Sequence, residues 1–424
     1  MRHLVAISVA WLVAGSGQAL AATCSFDEAS GVMSVSDLSA RPFDSTTLEV
    51  VGGAIEVDGA ACGAATTTST SRIVITGEGG RKDDVTLIGS FAPGRNDVPE
   101  TDTPEIEIDI ANFTEGNDRL AIEGSNQTEV WRFTAGGVNL NGDLDEDINV
   151  PQFGRVSLAA GNGQDTIDAS AYTGNAFLSL RGGGGGDQIT GSAAADEVLG
   201  GPGNDSIYGR GGDDHIYDGT GDDLVRAGPG DDVIYGDADA DNGADDIRGN
   251  AGIDIVTYYT RDIGITVTLD DVADDGQAGE GDNIHADVED LRGGWGDDVL
   301  VGSSEANYLA GGFGGDDTLR GGAGDDLLSG SSGRNSLYGG PGNDVLEGKF
   351  GRDFLYGGTG DDVLDGADGN DVLDGGAGID QYLGGDGDDD FFNADGLAET
   401  IDCGDGIDDA EPDPLDTFVG CEDI

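Results

Sequence analysis

Positive charge is what this sequence has least of. Lys and Arg together number 19 against 85 Asp and Glu, which gives a formal net charge of −66 at pH 7. This charge disfavours nucleic acid as a partner, because a phosphate backbone is attracted to basic surface, and it repels an anionic membrane surface as well. So large an excess of acid attracts cations, and it opposes compaction of the chain until counter-ions neutralise it.

Long apolar runs are also rare. The clearest is residues 4–14, which follow the basic Arg2 and His3 and precede a small-x-small pattern at residues 19–21. This is the layout of a secretory signal, and the run is too short for a final membrane helix. The sequence therefore predicts a signal peptide over residues 1–21, no membrane span after its removal, and export to the periplasm, the cell surface or the medium.

Cysteine is scarce, and the chain has only Cys24, Cys62, Cys403 and Cys421. An even number of cysteines in an exported chain is typical of disulfides. Of the three possible pairings, Cys24 with Cys62 and Cys403 with Cys421 is favoured because it needs no contact between the chain ends. The wide scatter disfavours a metal–thiolate cluster. A lipid anchor on Cys24 is an open alternative, although Thr23 is a poor residue before a lipidated cysteine.

Glycine, in contrast, is abundant, with 78 residues. Glycine at this density argues against a helical fold, and low hydrophobicity with high net charge predicts disorder unless acids and glycines keep a fixed phase. They do keep one. From residue 182 the chain reads GGGGGDQIT, GSAAADEVL, GGPGNDSIY, GRGGDDHIY, DGTGDDLVR and AGPGDDVIY, with an acid at the sixth position and a large apolar residue at the eighth.

A second run of nonapeptides covers residues 312–392, and its eighth positions are apolar from Leu319 to Phe391. Nine residues turn an α-helix by about 900°, so successive apolar positions on a helix would point to opposite sides. A coil of short strands and tight turns, with two repeats per turn, directs all of them inward. The period therefore predicts an all-β solenoid whose short strands are stable only when stacked.

The turns of such a coil are suited to binding cations. Glycines allow tight reversals and leave carbonyl groups on the inside of the turn, and the sixth-position Asp adds a carboxylate. Ca²⁺ prefers six to eight such oxygens at about 2.3–2.6 Å, whereas Mg²⁺ prefers a smaller shell and keeps its waters. Multiple calcium ions are therefore the predicted cofactors.

The repeats GGPGNDSIY, GGAGDDLLS, GGPGNDVLE and GGTGDDVLD resemble those of exported bacterial hemolysin-type (RTX) calcium-binding proteins. The resemblance covers roughly residues 182–392. It implies a right-handed parallel β-roll with Ca²⁺ between stacked turns on each side, bound by sixth-position side chains and nearby glycine carbonyls. The metal ligands expected on this basis are Asp165, Asp187, Asp205, Asp214, Asp223, Asp232, Asp246, Asp254, Asp298, Asp317, Asp326, Asn335, Asp344, Asp353, Asp362, Asp371, Asp380 and Asp389.

Several repeats depart from the pattern. Asn307 and Asn335 replace the acid and would be weaker, neutral ligands. GSAAADEVL lacks most of the turn glycines, so Asp196 is left out of the expected ligand set. Residues 236–248 are out of step with the period, and Asp246 is taken as the realigned ligand.

The repeats also divide the chain into predicted parts. These are the signal peptide 1–21, a β-rich N-terminal region 22–157, a first RTX repeat array 158–254, a hairpin-like insert 255–292, a second RTX repeat array 293–392 and a C-terminal cap 393–424. The alternation of residues 265–269 predicts a strand in the insert, and a hairpin packed on the roll is favoured over a binding site. His215 and His285 are predicted to be surface residues, since neither has a second histidine at ligand spacing. The N-terminal region is read as a β-rich leader or a degenerate coil of the same solenoid, and the cap as protection for the open sheet edge.

Catalytic signatures are lacking, with no H-E-x-x-H and no G-x-S-x-G. Acid pairs are too common for a glycosidase-type pair to be excluded by counting, but residues 23–157 hold few aromatics for a sugar cleft. The sequence predicts a non-enzymatic extracellular structural or adhesive module, with calcium ions and, for adhesion, a cell-surface or polysaccharide ligand as partners. The alternatives are a passive folding or secretion device, and a calcium-dependent secreted hydrolase or toxin-like protein with an unrecognised catalytic N-terminal region.

Overall fold

Short strands joined by tight turns make up the described chain. The computed structural model describes residues 153–236, 243–392, 396–410 and 414–421, together with the strands between residues 23 and 149; before residue 120 it describes backbone alone. The predicted signal peptide lies outside the described residues. The described residues include no helix, and so none that could cross a membrane. The chain divides into two compact units at residue 214.

The first unit consists of two sheets that are mainly parallel. Its strands are β1 Thr23–Asp27, β2 Val32–Ser36, β3 Asp44–Val51, β4 Ala54–Val57, β5 Ala60–Thr66, β6 Arg72–Thr76, β7 Asp83–Ile88, β8 Glu107–Ala111, β9 Arg119–Ser125, β10 Val130–Phe133, β11 Gly137–Asn139, β12 Ile148–Asn149, β13 Arg155–Asn162, β14 Thr166–Asp168, β15 Phe177–Gly184, β16 Gln188–Thr190, β17 Asp196–Pro202 and β18 Ser206–Tyr208. One sheet runs β1-β2-β6-β8-β12-β11-β10-β14-β16-β18, and the other runs β3-β7-β9-β13-β15-β17, with β4 and β5 added antiparallel. Parallel pairing of β7 with β9 and of β9 with β13 joins the N-terminal strands to the first repeats in one ladder.

The second unit is a parallel coil throughout its paired strands. These are β19 His215–Thr220, β20 Leu224–Pro229, β21 Val233–Tyr235, β22 Asp246–Ala251, β23 Ile255–Thr257, β24 Thr266–Thr268, β25 Asn283–Ile284, β26 Asp290–Arg292, β27 Val299–Val301, β28 Tyr308–Ala310, β29 Thr318–Arg320, β30 Leu327–Ser329, β31 Ser332–Gly333, β32 Ser336–Pro341, β33 Val345–Gly351, β34 Phe354–Thr359, β35 Val363–Asp368, β36 Val372–Ala377, β37 Gln381–Asp386, β38 Asp390–Phe392, β39 Thr400–Asp405, β40 Asp409–Ala410 and β41 Thr417–Val419. They form the ladders β20-β22-β25, β19-β21-β23-β26-β28-β30-β33-β35-β37-β39-β41 and β24-β27-β29-β32-β34-β36-β38-β40, with β31 beside β33. The predicted all-β parallel solenoid is confirmed.

The core is a column of the eighth-position apolar residues. Leu337, Leu355 and Leu373 occupy the same register in β32, β34 and β36, and Leu346 and Leu364 do so in β33 and β35. All five are fully buried. Full burial of one such side chain contributes about 1.5–3 kcal/mol, and each strand obtains it only from the strands stacked above and below. The nine-residue period therefore sets both the coil and its core.

The strands of the insert predicted at residues 255–292 pair in parallel with those of the coil. Its strand β23 pairs in parallel with β21 and β26, β24 pairs in parallel with β27, and β25 with β22. Its antiparallel contacts are two isolated bridges, Thr266 with Gly276 and Asp275 with Asp282. The alternation at residues 265–269 correctly indicated a strand, but a strand three residues long does not reveal its partner. The insert therefore widens the turns of the coil and keeps its rungs.

The C-terminal segment adds the last rungs. Strand β39 pairs with β37 and then with β41, and β40 pairs with β38. The expected disulfide between Cys403 and Cys421 is present, with 5.1 Å between the two Cα atoms. It joins β39 to the residues that follow β41, the last strand of its ladder. The side chains of Cys24 and Cys62 lie outside the described part of the chain, and their pairing stays a prediction.

Two adjacent leucines test the core. Leu328 is fully buried and Leu327 is 38% exposed, although both lie on β30. We expect Leu328→Ala to lower the free energy of unfolding by about 2–5 kcal/mol through the cavity that it leaves, and Leu327→Ala to change it by about 0.5 kcal/mol or less. Denaturant unfolding of both variants in saturating calcium measures the difference. Equal losses would contradict the assignment of the inward face.

Candidate calcium sites

The sixth-position side chains form a hydrogen-bonded ladder along the coil. The backbone N–H of Asp344 donates to Oδ1 of Asp362 at 2.7 Å, and the N–H of Asp362 donates to Oδ1 of Asp380 at 2.8 Å, each 18 residues further on. The same bond is accepted by Asp187, Asp205, Asp214, Asp245, Asp254, Asp282, Asp317, Asp326, Asn335, Asp344, Asp353, Asp371, Asp389 and Asp408. Each of these side chains is thus held through Oδ1 by the turn before it, which leaves Oδ2 of the regular Asp residues without that bond.

That second oxygen is buried and, in most repeats, has no hydrogen-bond donor within the protein. This holds for Oδ2 of Asp187, Asp254, Asp317, Asp326, Asp344, Asp353, Asp362, Asp371, Asp389 and Asp408. A buried ionised carboxylate without a partner for one oxygen is costly. Successive turns therefore each contain a buried carboxylate oxygen that requires either a proton or a cation.

First-position glycines leave the space beside this oxygen open. A Cβ on Gly357 would lie 2.4 Å from Oδ2 of Asp362 and 2.6 Å from the carbonyl oxygen of Gly375. Gly339 has the same relation to Asp344 and to the Gly357 carbonyl, at 2.3 and 2.6 Å. A carboxylate oxygen and a carbonyl oxygen thus converge beside a glycine that no other residue could replace without a shift. This is the hard-oxygen chemistry that Ca²⁺ prefers.

Fourth-position glycines stack the turn carbonyls. Gly360 has a φ of +129°, a conformation in the left-handed range that L side chains rarely adopt. A Cβ there would lie 1.7 Å from the carbonyl oxygen of Gly342, one turn earlier. The described residues contain no group of three or more His, Cys, Asp or Glu side chains placed to hold one metal ion. The stacked turn carbonyls are oxygens of the kind that Ca²⁺ accepts as ligands.

Burial makes these carboxyls poor acids in the metal-free coil. Loss of hydration raises the pKa of Asp317 to about 8 and the pKa of Asp362 and Asp371 to about 7, against the opposing effect of the amide that each accepts. Neighbouring carboxylates raise the pKa of all three further. A divalent cation bound to these oxygens would reverse the effect, because it stabilises the charged form.

At two predicted ligand positions the oxygens are already occupied. Asp298 accepts the amide of Ile265 through Oδ1 and the amide of Gly294 through Oδ2. Asn335 keeps its place in the ladder and accepts the amide of Asp317. Asp165, another predicted ligand, is buried, and its backbone N–H donates to Oδ1 of Asp187. The turns are therefore not equivalent.

The realigned ligand after residue 236 was predicted one residue too late. Asp245 occupies the ladder, since it accepts the amide of Asp223 at 2.9 Å and is buried. Asp246 points outward, forms an ion pair with Arg226 at 3.2 Å and lies within hydrogen-bond distance of Nε2 of His285, at 2.7 Å. In a strand, a shift of one residue turns a side chain to the opposite face. The pairing register of β22 with β20 determines that Asp245, and not Asp246, lies in the ladder. This register cannot be read from the sequence alone.

His285 was predicted to be a surface residue, and this is wrong. It is 4% exposed, and its ring nitrogens lie 2.6 Å from Oδ1 of Asp271 and 2.7 Å from Oδ1 of Asp246. His215 is exposed, as predicted, and contacts the hydroxyl of Tyr235 at 3.1 Å. The ring of His285 is thus held between Asp271 of the same insert and Asp246 of β22.

Sequence reasoning missed a second ladder, at the fifth position of the repeat. The N–H of Asn343 donates to Oδ1 of Asp325, that of Asp361 to Oδ1 of Asn343, and that of Ile379 to Oδ1 of Asp361, each at 2.8 Å. The same role falls to Asp222, Asp231, Asp297, Asp316, Asn370 and Asp388. The signal was present, because Asp or Asn often fills the fifth position. This ladder is exposed and runs in the opposite direction to the sixth-position ladder.

Three ladder members also escaped the sequence assignment, namely Asp245, Asp282 and Asp408. Asp408 lies in CGDGIDDA, which keeps the spacing of the repeat, and Asp282 precedes Ile284 by two residues as the motif requires. Asp408 accepts the amide of Asp389 at 3.0 Å. The ladder therefore extends into the segment predicted as the C-terminal cap.

Comparison with known proteins agrees with this geometry. The family model of the RTX calcium-binding nonapeptide repeat (4 copies) matches residues 181–216, 208–242, 292–314, 311–346 and 347–382. No curated protein matches the chain.

Gly357 and Gly314 form a matched pair for testing the turn. A Cβ on Gly314 has its nearest neighbour, the carbonyl oxygen of Trp295, 4.0 Å away. We expect Gly357→Ala to cost about 1–3 kcal/mol of stability in calcium, because the methyl group overpacks the turn, and to weaken calcium binding. Gly314→Ala should change neither property appreciably. Calcium titration and thermal unfolding of both variants measure this, and similar behaviour of the two would contradict the proposed cradle.

The raised pKa values predict a dependence of calcium binding on pH. Since the pKa of a buried carboxyl is higher in the folded metal-free coil than in the unfolded chain, that coil loses stability as pH rises from about 4 to about 8. Calcium must displace the protons, so we expect its affinity to rise over the same range and protons to be released on binding near pH 6.5. Titration calorimetry in buffers of different ionisation enthalpy counts these protons, and binding without proton release would contradict the assignment.

Proposed function

Since the chain carries RTX calcium-binding nonapeptide repeats between residues 181 and 382, we propose that it is an exported protein whose β-roll folds on loading calcium outside the cytoplasm and serves there as a structural or adhesive module. The repeat β-roll is a structural calcium-binding module. The proposal rests chiefly on the row of buried Asp oxygens that have no donor in the protein. They lie on the interior of successive turns, where an ion would contact the turn above and the turn below.

Coupling between calcium and folding follows from the charge. At −66 the chain repels itself, and the buried carboxylates add a desolvation cost in the metal-free coil. Ions that bind the folded coil and not the unfolded chain supply folding free energy by mass action. The chain is then unfolded at low cytosolic calcium and folded at the higher level outside, with affinities of about 10⁻⁴ to 10⁻³ M, as in extracellular modules.

Export is supported by two features. The N-terminal signal pattern directs the chain out of the cytoplasm. The disulfide between Cys403 and Cys421 belongs to an oxidising compartment. A non-enzymatic role is supported by the use of the buried Asp side chains, which line the turns and are held by the ladder.

A calcium titration followed by far-UV circular dichroism tests the proposal. We expect disorder in chelator and a cooperative β-signal on adding calcium. Asp362→Ala should shift the midpoint to higher calcium, because it removes a ladder carboxylate, and Asn335→Ala should shift it less, because a neutral side chain is lost. A chain equally structured in chelator would contradict coupled folding.

The adhesive role is tested on the same protein. Binding to cell-surface polysaccharide in calcium, lost in chelator, would support adhesion. Stable folding in calcium without any surface partner would restrict the protein to a structural role. Reproducible turnover of a peptide or polysaccharide library by the calcium-loaded chain would contradict the non-enzymatic proposal.

A further inference from the structure

Three repeats of the second array reverse the charge balance of the chain. Residues 312–320, 330–338 and 348–356 contain four basic and three acidic residues, whereas the three repeats that alternate with them between residues 321 and 365 contain seven acidic residues and no basic one. Because two repeats make one turn, the three basic repeats stack on the same side of the coil, where they supply β29, β32 and β34. The excess of acid is therefore interrupted on one side of three consecutive rungs.

The outer face of these three strands carries no acid. The residues that flank the buried leucines and point outward are Thr318 and Arg320 on β29, Ser336 and Tyr338 on β32, and Phe354 and Tyr356 on β34. The rings of Tyr338 and Tyr356 stack, with their centroids 5.0 Å apart and their planes 6° from parallel. On the other ladder the corresponding ninth positions hold Glu347 and Asp365. The face of β29, β32 and β34 is thus aromatic, hydroxyl-bearing and free of carboxylates.

Three exposed arginines belong to this face. Arg320, Arg334 and Arg352 lie on consecutive rungs, and among the described residues none of them takes part in an ion pair. The Cζ atom of Arg320 lies 4.4 Å from the centroid of the Tyr338 ring, and that of Arg352 lies 5.4 Å from the centroid of Phe354. A guanidinium packed on a ring keeps its in-plane N–H donors available, and these match the two oxygens of a carboxylate.

Two of these arginines interrupt the fifth-position ladder. The N–H of Arg334 donates to Oδ1 of Asp316 at 2.8 Å, but an arginine side chain has no acceptor to offer to the next rung. The described residues accordingly include no ladder bond from the N–H of Arg352 or of Asn370, and the ladder resumes where Asp388 donates to Asn370. A substitution that gives up a structural bond and gains no ion pair within the described chain is typical of a functional position.

Exposed aromatic side chains lie in the turns on the same side of the coil. Trp295, Phe313 and Phe350 are 55%, 43% and 61% exposed, and they lie in the turns that lead into β27, β29 and β34. The rings of Trp295 and Phe313 stack with their centroids 5.1 Å apart. Large apolar groups exposed in a group mark an interaction surface. The C–H face of a sugar ring packs on such rings, whereas the neighbouring guanidiniums require an anion.

We propose that the outer face of β29, β32 and β34, together with the aromatic turns that lead into this side of the coil, binds a linear carboxylated polysaccharide. The inference deepens the proposed adhesive function and rests on it. Successive rungs lie about 4.8 Å apart, which is close to the spacing of sugar units along a linear chain. Guanidiniums on neighbouring rungs therefore contact the carboxylates of neighbouring sugars, and the Ser, Thr and Tyr hydroxyls of the face bind sugar hydroxyls.

The distribution of charge favours this ligand over a denser polyanion. Exposed acids such as Asp297 and Asp316 lie in the adjoining turns and would repel the closely spaced phosphates of a nucleic acid. A chain of uronic acids has one carboxylate per sugar and is otherwise neutral. At physiological ionic strength charges are screened over about 8 Å, so a ligand that stays on the face is little affected by the net charge of the rest of the coil.

Titration calorimetry of the calcium-loaded chain with a short oligogalacturonate, at fixed free calcium, tests the inference. Arg334→Asn and Arg352→Asn place at the fifth position the residue that Asn343 and Asn370 already supply to the ladder, so the fold in calcium should be retained. We expect each variant to weaken binding about twofold to fivefold and the double variant to weaken it about tenfold, as for exposed charge pairs. A neutral galactose oligomer of the same length should bind more weakly than the oligogalacturonate.

Lys349→Asn is the matched control. It removes a positive charge from the same repeat as Arg352, but this charge lies on β33 and pairs with Oε2 of Glu347 at 2.7 Å. Asn also tolerates the φ of +78° at this position. The control should bind the oligogalacturonate as the wild-type chain does. Phe350→Ser, which removes the most exposed of the three turn aromatics, should weaken binding without reducing its dependence on salt, because no charge is lost.

The possible outcomes separate this inference from the proposed function. If the wild-type chain neither binds calcium nor gains a β-signal, the proposed function fails. If it folds in calcium but the oligogalacturonate does not bind, or binds the double variant equally well, this inference alone is refuted. Should the double variant lose the β-signal, Arg320→Gln, which lies outside both ladders, carries the same expectation.

Two further results would assign the face to another partner and overturn the choice of a polysaccharide. One is equally tight binding of a polyglutamate of the same charge, which would indicate an acidic peptide. The other is self-association of the wild-type chain in analytical ultracentrifugation that the double variant abolishes, which would indicate a second copy of the chain.

Discussion

The bond from a backbone N–H to the carboxylate one turn later is the constraint on which this structure depends. In the regular turns it fixes the sixth-position Asp through Oδ1 and leaves Oδ2 buried in the turn without a donor, as in Asp344 and Asp362. The first position of these turns is a glycine because Oδ2 and a carbonyl oxygen fill the space where a Cβ would lie. The strands are short because the turns, with their fixed spacing, come at every repeat. The geometry of the turns and the position of their free oxygens thus depend on one hydrogen bond repeated along the chain.

Much of the fold and of the candidate sites could be predicted from the sequence, because the nine-residue period determines which side chains face inward. The phase of Leu319 to Phe391 identifies the inward face, and the sixth-position acids identify the ladder. The places where prediction was wrong are those where the period breaks. Asp246 was chosen over Asp245 because a strand register is set by pairing with β20, which no local pattern records. His285 is buried and contacts Asp271 and Asp246, which lie 14 and 39 residues away in the sequence, and no local pattern records such contacts.

The second unit also shows how a coil accommodates an insertion between its repeats. The strands β23 to β26 keep their parallel partners while the turns between them lengthen. The widened part still constrains individual positions, and Gly236 remains a glycine because the ring of Tyr258 passes over it.

The fifth-position and sixth-position ladders run in opposite directions, one on the outside of the turn and one on the inside. Every regular turn consequently presents the same donors and acceptors to the turn before it, and the same set to the turn after it. A whole turn could be deleted or duplicated and the new neighbours would still match, whereas the gain or loss of a single residue would break both ladders at once. The regular coil can therefore change in length only by whole turns, not by single residues.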